Sequence, residues 1–189
     1  MHRSLPVVEM INALAKLTPL AAADPIAIET LLDAAFGSDR RGRTAYRLRE
    51  GMDAIPTLSF ATFDEGGALV GSLQSWPIEL NPVSGAAAPL VLVGPVAVRP
   101  DRQRDGIGRR MMEHMLEAAD DGAADALLLI GDPEYYGRFF GFSADLTSGW
   151  EVPGPVDRHR LLARTKPGLM LPRVGMLGPR RAEVVSRAA

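Results

Sequence analysis

The chain has 189 residues, 47% hydrophobic and 23% charged, enough for one domain with a substantial core. Its formal net charge of −2 argues against a general nucleic-acid binder, which would carry a basic excess. With no cysteine it has no disulfide framework, cysteine nucleophile or thiolate metal site, a composition compatible with the cytoplasm.

Residues 1–23, rich in Ala, Leu and Pro, read as either a leading strand or a loose arm. Asp24-Pro25 then signals a helix start, a capping Asp with Pro at the first helical position. Ile28, Leu31, Leu32, Ala35 and Phe36 recur at helical spacing, and Gly37 ends the run. A second helix is expected over Thr44–Glu50, stopped by Gly51. Thr57–Phe63 reads as a strand, Glu65-Gly66-Gly67 as a hairpin turn and Ala68–Pro77 as the returning strand. After a flexible connection over 81–88, Leu90–Val98 is almost continuously apolar, the mark of a strand covered on both faces. Gly94-Pro95 interrupts it and predicts a bulge or splayed pairing, because Pro cannot donate to a ladder.

The next segment carries the most information. Val96-Ala97-Val98-Arg99-Pro100 leads through a turn into Gln103-Arg104-Asp105-Gly106-Ile107-Gly108-Arg109-Arg110, where an amphipathic helix begins. Ile107, Met111, Met112, Met115, Leu116 and Ala119 form its apolar face, a stripe that reads as core packing. Amides at a helix start have no intrahelical acceptor, and the helix dipole adds positive potential there. Glycines let an anion approach the main chain, so the segment reads as a phosphate cradle built of backbone. Five arginines (Arg99, Arg102, Arg104, Arg109, Arg110) surround it; a second cluster, Arg40, Arg41, Arg43, Arg47 and Arg49, reads equally well as a solvated surface or as a contact for an anion.

Asp121-Gly122 breaks the helix. Ala126–Ile130 follows as a short buried strand, parallel to the Leu90 strand by the crossover rule. Gly131-Asp132-Pro133 repeats the capping signal and opens a short helix, with Tyr135 and Tyr136 at its start and Gly141-Phe142 at its end. The tail from Ser143 is expected to hold one or two more strands, with Arg160–Arg164 the best candidate.

Strand, Gln103-x-x-Gly106-x-Gly108 and helix together resemble the acetyl-CoA-binding signature of the GNAT superfamily of N-acetyltransferases. The segment Gly131–Phe142 is similar to the region where GNAT proteins carry a Tyr on a short helix ending in Gly-Phe, with one residue more between Tyr136 and Gly141 than is usual. The resemblance covers Leu90–Phe142 and extends weakly to the first helix; it is most similar to a bacterial branch known as predicted acetyltransferases. It implies a single GNAT-like α/β (α+β) domain over residues 1–189, with a mixed central sheet, splayed parallel strands and flanking helices. The core is expected at about 24–165, with extensions on either side. It also implies acetyl-CoA as co-substrate, an unidentified amine as acceptor and a cytoplasmic acyltransferase; self-association as a homodimer is common in the family.

By that resemblance Gln103, Arg104, Asp105, Gly106, Ile107, Gly108 and Arg109 hold the CoA pyrophosphate, while Val96, Ala97 and Val98 pair with the pantetheine arm as an added strand would. The amide near Val96 polarises the thioester carbonyl. Tyr136, with Tyr135 as the alternative, protonates the departing thiolate. Family members often place a Glu on the central strand; Leu90–Val98 has no acid, so Glu79 on the preceding strand is the candidate base, and Asp132 is explained by capping. His2, His114 and His159 show no metal-ligand spacing, so no metal is expected. No apolar run approaches the ~20 residues of a membrane span, and the features of a secretory signal are lacking. A P-loop is excluded because no Lys-Ser or Lys-Thr follows the glycines, and a dinucleotide fingerprint because Met111 stands where its third glycine belongs. The alternative is a GNAT fold that binds acyl-CoA as a sensor without turnover; the missing acid favours it and the paired tyrosines disfavour it.

Overall fold

A computed structural model describes residues 16–181. In chain order it contains β1 (Lys16–Pro19), α1 (Pro25–Phe36), α2 (Thr44–Leu48), β2 (Phe60–Phe63), β3 (Leu69–Asn81), β4 (Ala88–Val98), α3 (Ile107–Ala118), β5 (Ala126–Ile130), α4 (Pro133–Phe140), β6 (Gly149–Glu151), β7 (Leu161–Thr165) and β8 (Val174–Pro179). The fold is mixed α/β, with open and mostly antiparallel strands accompanied by helices. The part of residues 1–23 before Lys16 lies outside the described residues; the part within them begins with β1.

Local chemistry sets these boundaries. The Asp24 carboxylate accepts from the Ala27 amide at 3.3 Å, Pro25 opens α1, and Gly37 ends it at φ +85°. Pro56 opens a 3-10 turn, so the strand expected from Thr57 begins only at Phe60. The helix expected to reach Glu50 stops at Leu48, where the chain turns and the Met52 amide donates to the Arg49 carbonyl. β3 runs past Pro77 to Asn81: Pro77 lacks an amide, but its carbonyl accepts from Arg180, and Ile78–Asn81 pair with β8. Three strands follow Ser143 where one or two were expected, the Arg160–Arg164 candidate among them as β7.

The chain forms two compact units, one from residues up to 42, 54–75 and 93–125, the other from 43–53, 76–92 and 126 onward. In the first, the strand order is β1-β2-β3-β4. β1 pairs antiparallel with β2, and β2 with β3 (Phe60↔Leu73), with a register shift between Thr62 and Phe63. Ile28, Leu31 and Leu32 of α1 pack with Ala23, Ala61 and Ala97. From α3, Ile107, Met111, Met112 and Met115 are all buried. Each such side chain contributes about 1.5–3 kcal/mol when removed from water. Gly71 lets α3 close on β3: a Cβ there would stand 2.7 Å from Cγ2 of Ile107 and 3.1 Å from Cε of Met111.

In the second unit the order is β6-β8-β3-β4-β5-β7. β4 and β5 pair in parallel at Val91↔Leu127 and Leu92↔Leu128, as the crossover rule requires. β5 pairs antiparallel with β7, β3 with β8, and β6 parallel with β8. The core gathers Leu48, Ile78, Leu80, Leu90, Leu92, Leu128, Trp150, Leu161 and Leu177. Trp150 is fully buried, and its indole N–H donates to the Pro172 carbonyl at 2.8 Å.

The close approach at Gly71 gives the first prediction. Gly71→Val forces branched bulk between β3 and α3 and is expected to destabilise the fold by about 1–3 kcal/mol in chemical denaturation. Unchanged stability would mean that α3 does not rest on β3 at this point.

Candidate active site

The cradle segment lies in the first unit. Ala97 is buried against the α1 face, so only its main chain is available to a ligand. Val96 and Val98 point the other way, toward Gly108, whose Cβ would lie 3.5 Å from Cγ2 of Val98 and 3.8 Å from Cγ1 of Val96. The turn that follows is fixed by Arg102 donating to the Arg99 carbonyl (2.8 Å) and Asp105 to that of Arg102 (3.1 Å). Gly106 caps α3 in the left-handed region, φ +71°, a conformation that costs a residue with a Cβ about 1–2 kcal/mol. The first helical bond of α3 runs from Arg110 to the Gly106 carbonyl.

No side chain caps this helix, and among the described residues no protein acceptor meets the amides of Arg104, Gly106, Ile107 or Gly108. Ile107 sends its side chain into the core, while Gln103, Arg104 and Asp105 are exposed. Local carboxylates occupy three of the five surrounding arginines. Arg99 pairs with Asp101 at 2.7 Å, Arg102 with Asp105, and Arg109 with Glu113 at 2.8 Å. Arg104 and Arg110 meet no carboxylate among the described residues. The open amides therefore add to the charge of Arg104 and Arg110 at this turn.

Arg40 and Arg49 of the first cluster are buried, which corrects the solvated-surface reading for those two, while Arg41, Arg43 and Arg47 are exposed. Arg40 is buried, donating to Glu29 at 2.5 Å and Asp33 at 2.7 Å on α1, and Arg41 also reaches Glu29. Burial pushes the Glu29 carboxyl up, but the hydrogen bonds from Arg40 and Arg41 outweigh it and hold the group below its ordinary range. Arg47 donates to the Pro153 carbonyl at 2.9 Å. Arg49 is buried with its guanidinium 4.0 Å from the Tyr46 ring centroid and 4.4 Å from that of Trp76.

Tyr135 and Tyr136 sit on α4 of the second unit. Asp132 caps this helix, accepting from the Glu134 amide at 3.0 Å, so capping accounts for it. Tyr135 is exposed and Tyr136 half-buried, their rings edge to face at 5.1 Å. The Tyr136 hydroxyl has no hydrogen-bond partner among the described residues and is not sealed from solvent. Its ionisation is pushed up to about 12, first by burial and then by the neighbouring Tyr135 and Asp132, while Arg160 pulls the other way. Glu79 is half-buried within β3, opposite Gly178 of β8, and its carboxylate meets no protein partner among the described residues. No group of three or more His, Cys, Asp or Glu that could hold a metal occurs among the described residues, and no described helix is long and apolar enough to cross a membrane. What the sequence reading missed is Gly131: its glycine signal was visible, but the aromatic ring resting on it was not.

A strand turning through a left-handed glycine into a helix with open amides makes an anion seat, and comparison with known proteins gives the family. The sequence model of the acetyltransferase (GNAT) domain matches residues 17–144, which take in parts of both units. The uncharacterized N-acetyltransferase YhbS of Escherichia coli (strain K12) is 30% identical over 144 residues, 73% of this chain and 82% of that protein. The chain belongs to the GNAT acetyltransferase family. Two solved structures share its fold. GNAT family N-acetyltransferase YhbS from Escherichia coli, in complex with CoA, superposes with a TM-score of 0.68 at 21% identity, covering 95% of this chain and 94% of that one. A GNAT family acetyltransferase from Brucella melitensis, in complex with acetyl-CoA, gives 0.61 at 24% identity, covering 89% and 97%.

The Tyr136 phenol gives a prediction with a definite sign. It is protonated in the fold up to about 12 and in the unfolded chain only up to its ordinary 10.0. The stability it contributes is thus fully present below pH 10 and is lost as pH rises through about 12. Phenolate absorbance is expected to show a phase near pH 12 that Tyr136→Phe deletes. A late phase that survives the substitution would assign it to another tyrosine.

Proposed function

We propose that the protein transfers an acetyl group from acetyl-CoA to an amine by direct attack in a ternary complex. The observation that carries this is the set of unmet amides at the start of α3 beside left-handed Gly106. Open amides and a helix dipole make a seat for a diphosphate, and each charge-assisted hydrogen bond is worth about 1.5–3 kcal/mol. The structures in complex with CoA and acetyl-CoA, and the GNAT model match, support the choice of ligand.

In this reading the main chain from Gln103 to Arg109 holds the pyrophosphate, with Arg104 adding charge. The backbone of Val96, Ala97 and Val98 pairs with the amide groups of the pantetheine arm. The neutral amine nitrogen attacks the thioester carbon, and the Val96 amide stabilises the oxyanion that forms. Collapse makes the C–N bond and breaks C–S. The amine gives up a proton, for which the unpartnered Glu79 carboxylate is the candidate acceptor, directly or through water.

The departing thiolate takes a proton from Tyr136, with Tyr135 as the alternative donor. A phenol raised to about 12 keeps its proton throughout the physiological range. Complete transfer to a solvated thiol of pKa about 8.5 would be uphill by about 5 kcal/mol. Desolvation raises a thiol as it raises a phenol, and this narrows the gap for a thiol placed in the same apolar surroundings.

Calorimetry is expected to show micromolar binding of CoA, and product should form from acetyl-CoA with some member of a panel of amines. Gly108→Leu should leave stability within about 1 kcal/mol, since Leu is the better helix former, yet weaken CoA binding at least tenfold by filling the approach to the amides. Wild-type binding that this variant retains would remove the cradle from the account. Tyr136→Phe should slow transfer by about 100-fold with little change in CoA affinity. CoA binding without turnover on any amine would favour the sensor reading.

A further inference from the structure

Gly131 follows β5 directly, and its reason for being glycine is not conformational, since it is absent from the residues with positive φ. The reason is contact. A Cβ built there would stand 2.4 Å from Cε2 and 2.6 Å from Cδ2 of Tyr136, and 3.0 Å from Cδ1 of Leu129. No carbon approaches an aromatic ring that closely, so the ring rests on bare main chain. That main chain is itself held: the Gly131 amide donates to the Arg160 carbonyl at 2.9 Å, and the Gly131 carbonyl accepts from Nε of Arg160 at 3.4 Å. On its other sides the Tyr136 ring meets Tyr135 at 5.1 Å, Phe140 at 6.0 Å and Phe142 at 6.4 Å between centroids.

We propose that Gly131 is a positioning residue for the Tyr136 hydroxyl: its missing side chain admits the ring against the main chain, and Arg160 holds that main chain in place. This rests on the reading of Tyr136 as the proton donor to the thiolate, and it adds the element that fixes where the proton is offered. Any side chain at 131 displaces the ring outward. The same displacement exposes the phenol to water, so position and ionisation move together.

The test compares wild type, Gly131→Ala, Tyr136→Ala and the double variant. Gly131→Ala is expected to lower kcat by about 10- to 100-fold while KM for acetyl-CoA stays within about twofold. The Tyr136 ionisation should fall from about 12 toward its ordinary 10.0. Because the collision needs the ring, the melting-temperature loss caused by Gly131→Ala should largely vanish in the Tyr136→Ala background. If Gly131→Ala alone does not fold, the double variant should. A phenol titration unaltered by Gly131→Ala, or an equal melting loss in both backgrounds, would overturn the proposal. Absence of acyl transfer in the wild type would defeat the proton-donor reading while leaving the titration and the variant cycle to decide the positioning.

Discussion

The four amides of Arg104, Gly106, Ile107 and Gly108 meet no protein acceptor among the described residues, and the proposed function depends on them. An uncapped helix start is inexpensive where water reaches it, and it becomes a binding device only if the helix cannot shift or fray. Two features hold α3 still. Gly106 turns the chain at φ +71° so that the helix begins abruptly. Gly71 then lets Ile107 and Met111 seat almost on the backbone of β3, which fixes the helix at its first turn, next to the open amides. In the proposed function the apolar stripe of α3 would serve binding by holding its N-terminus in place.

The charges around this turn follow the same logic. Arg99, Arg102 and Arg109 are each engaged by a nearby carboxylate, which leaves the open amides together with Arg104 and Arg110 to face an anion. Three arginines of the Arg40–Arg49 segment make structural contacts. Arg40 ties its 3-10 turn to α1, Arg47 reaches Pro153, and Arg49 stacks on Tyr46 and Trp76. A buried guanidinium that satisfies several acceptors is a brace, and Arg40 is held this way by Glu29 and Asp33, whose own side chains reach solvent.

Much of the fold was legible because its signals are local. Asp24-Pro25 and Asp132-Pro133 each cap a helix as expected, and the Leu90 and Ala126 strands pair in parallel. β6 and β8 were not legible as separate strands: β6 has only three residues, and β8 is placed by pairing with the sequence-distant Ile78–Asn81. At the site, Gly106 and Gly108 could be read because dihedral need and close approach leave glycine in a recognisable spacing. Gly131 could be seen but not understood, because its cause is the ring of a residue five positions on. The roles of Arg40 and Arg49 were hidden because burial of a cation depends on what packs over it, which composition does not reveal.

The most direct measurement is a backbone amide NMR titration of the full chain with CoA. The account predicts that the resonances of Arg104, Gly106, Ile107 and Gly108 shift together, saturating at one common affinity. CoA that binds and perturbs other amides while these four stay in place would contradict it.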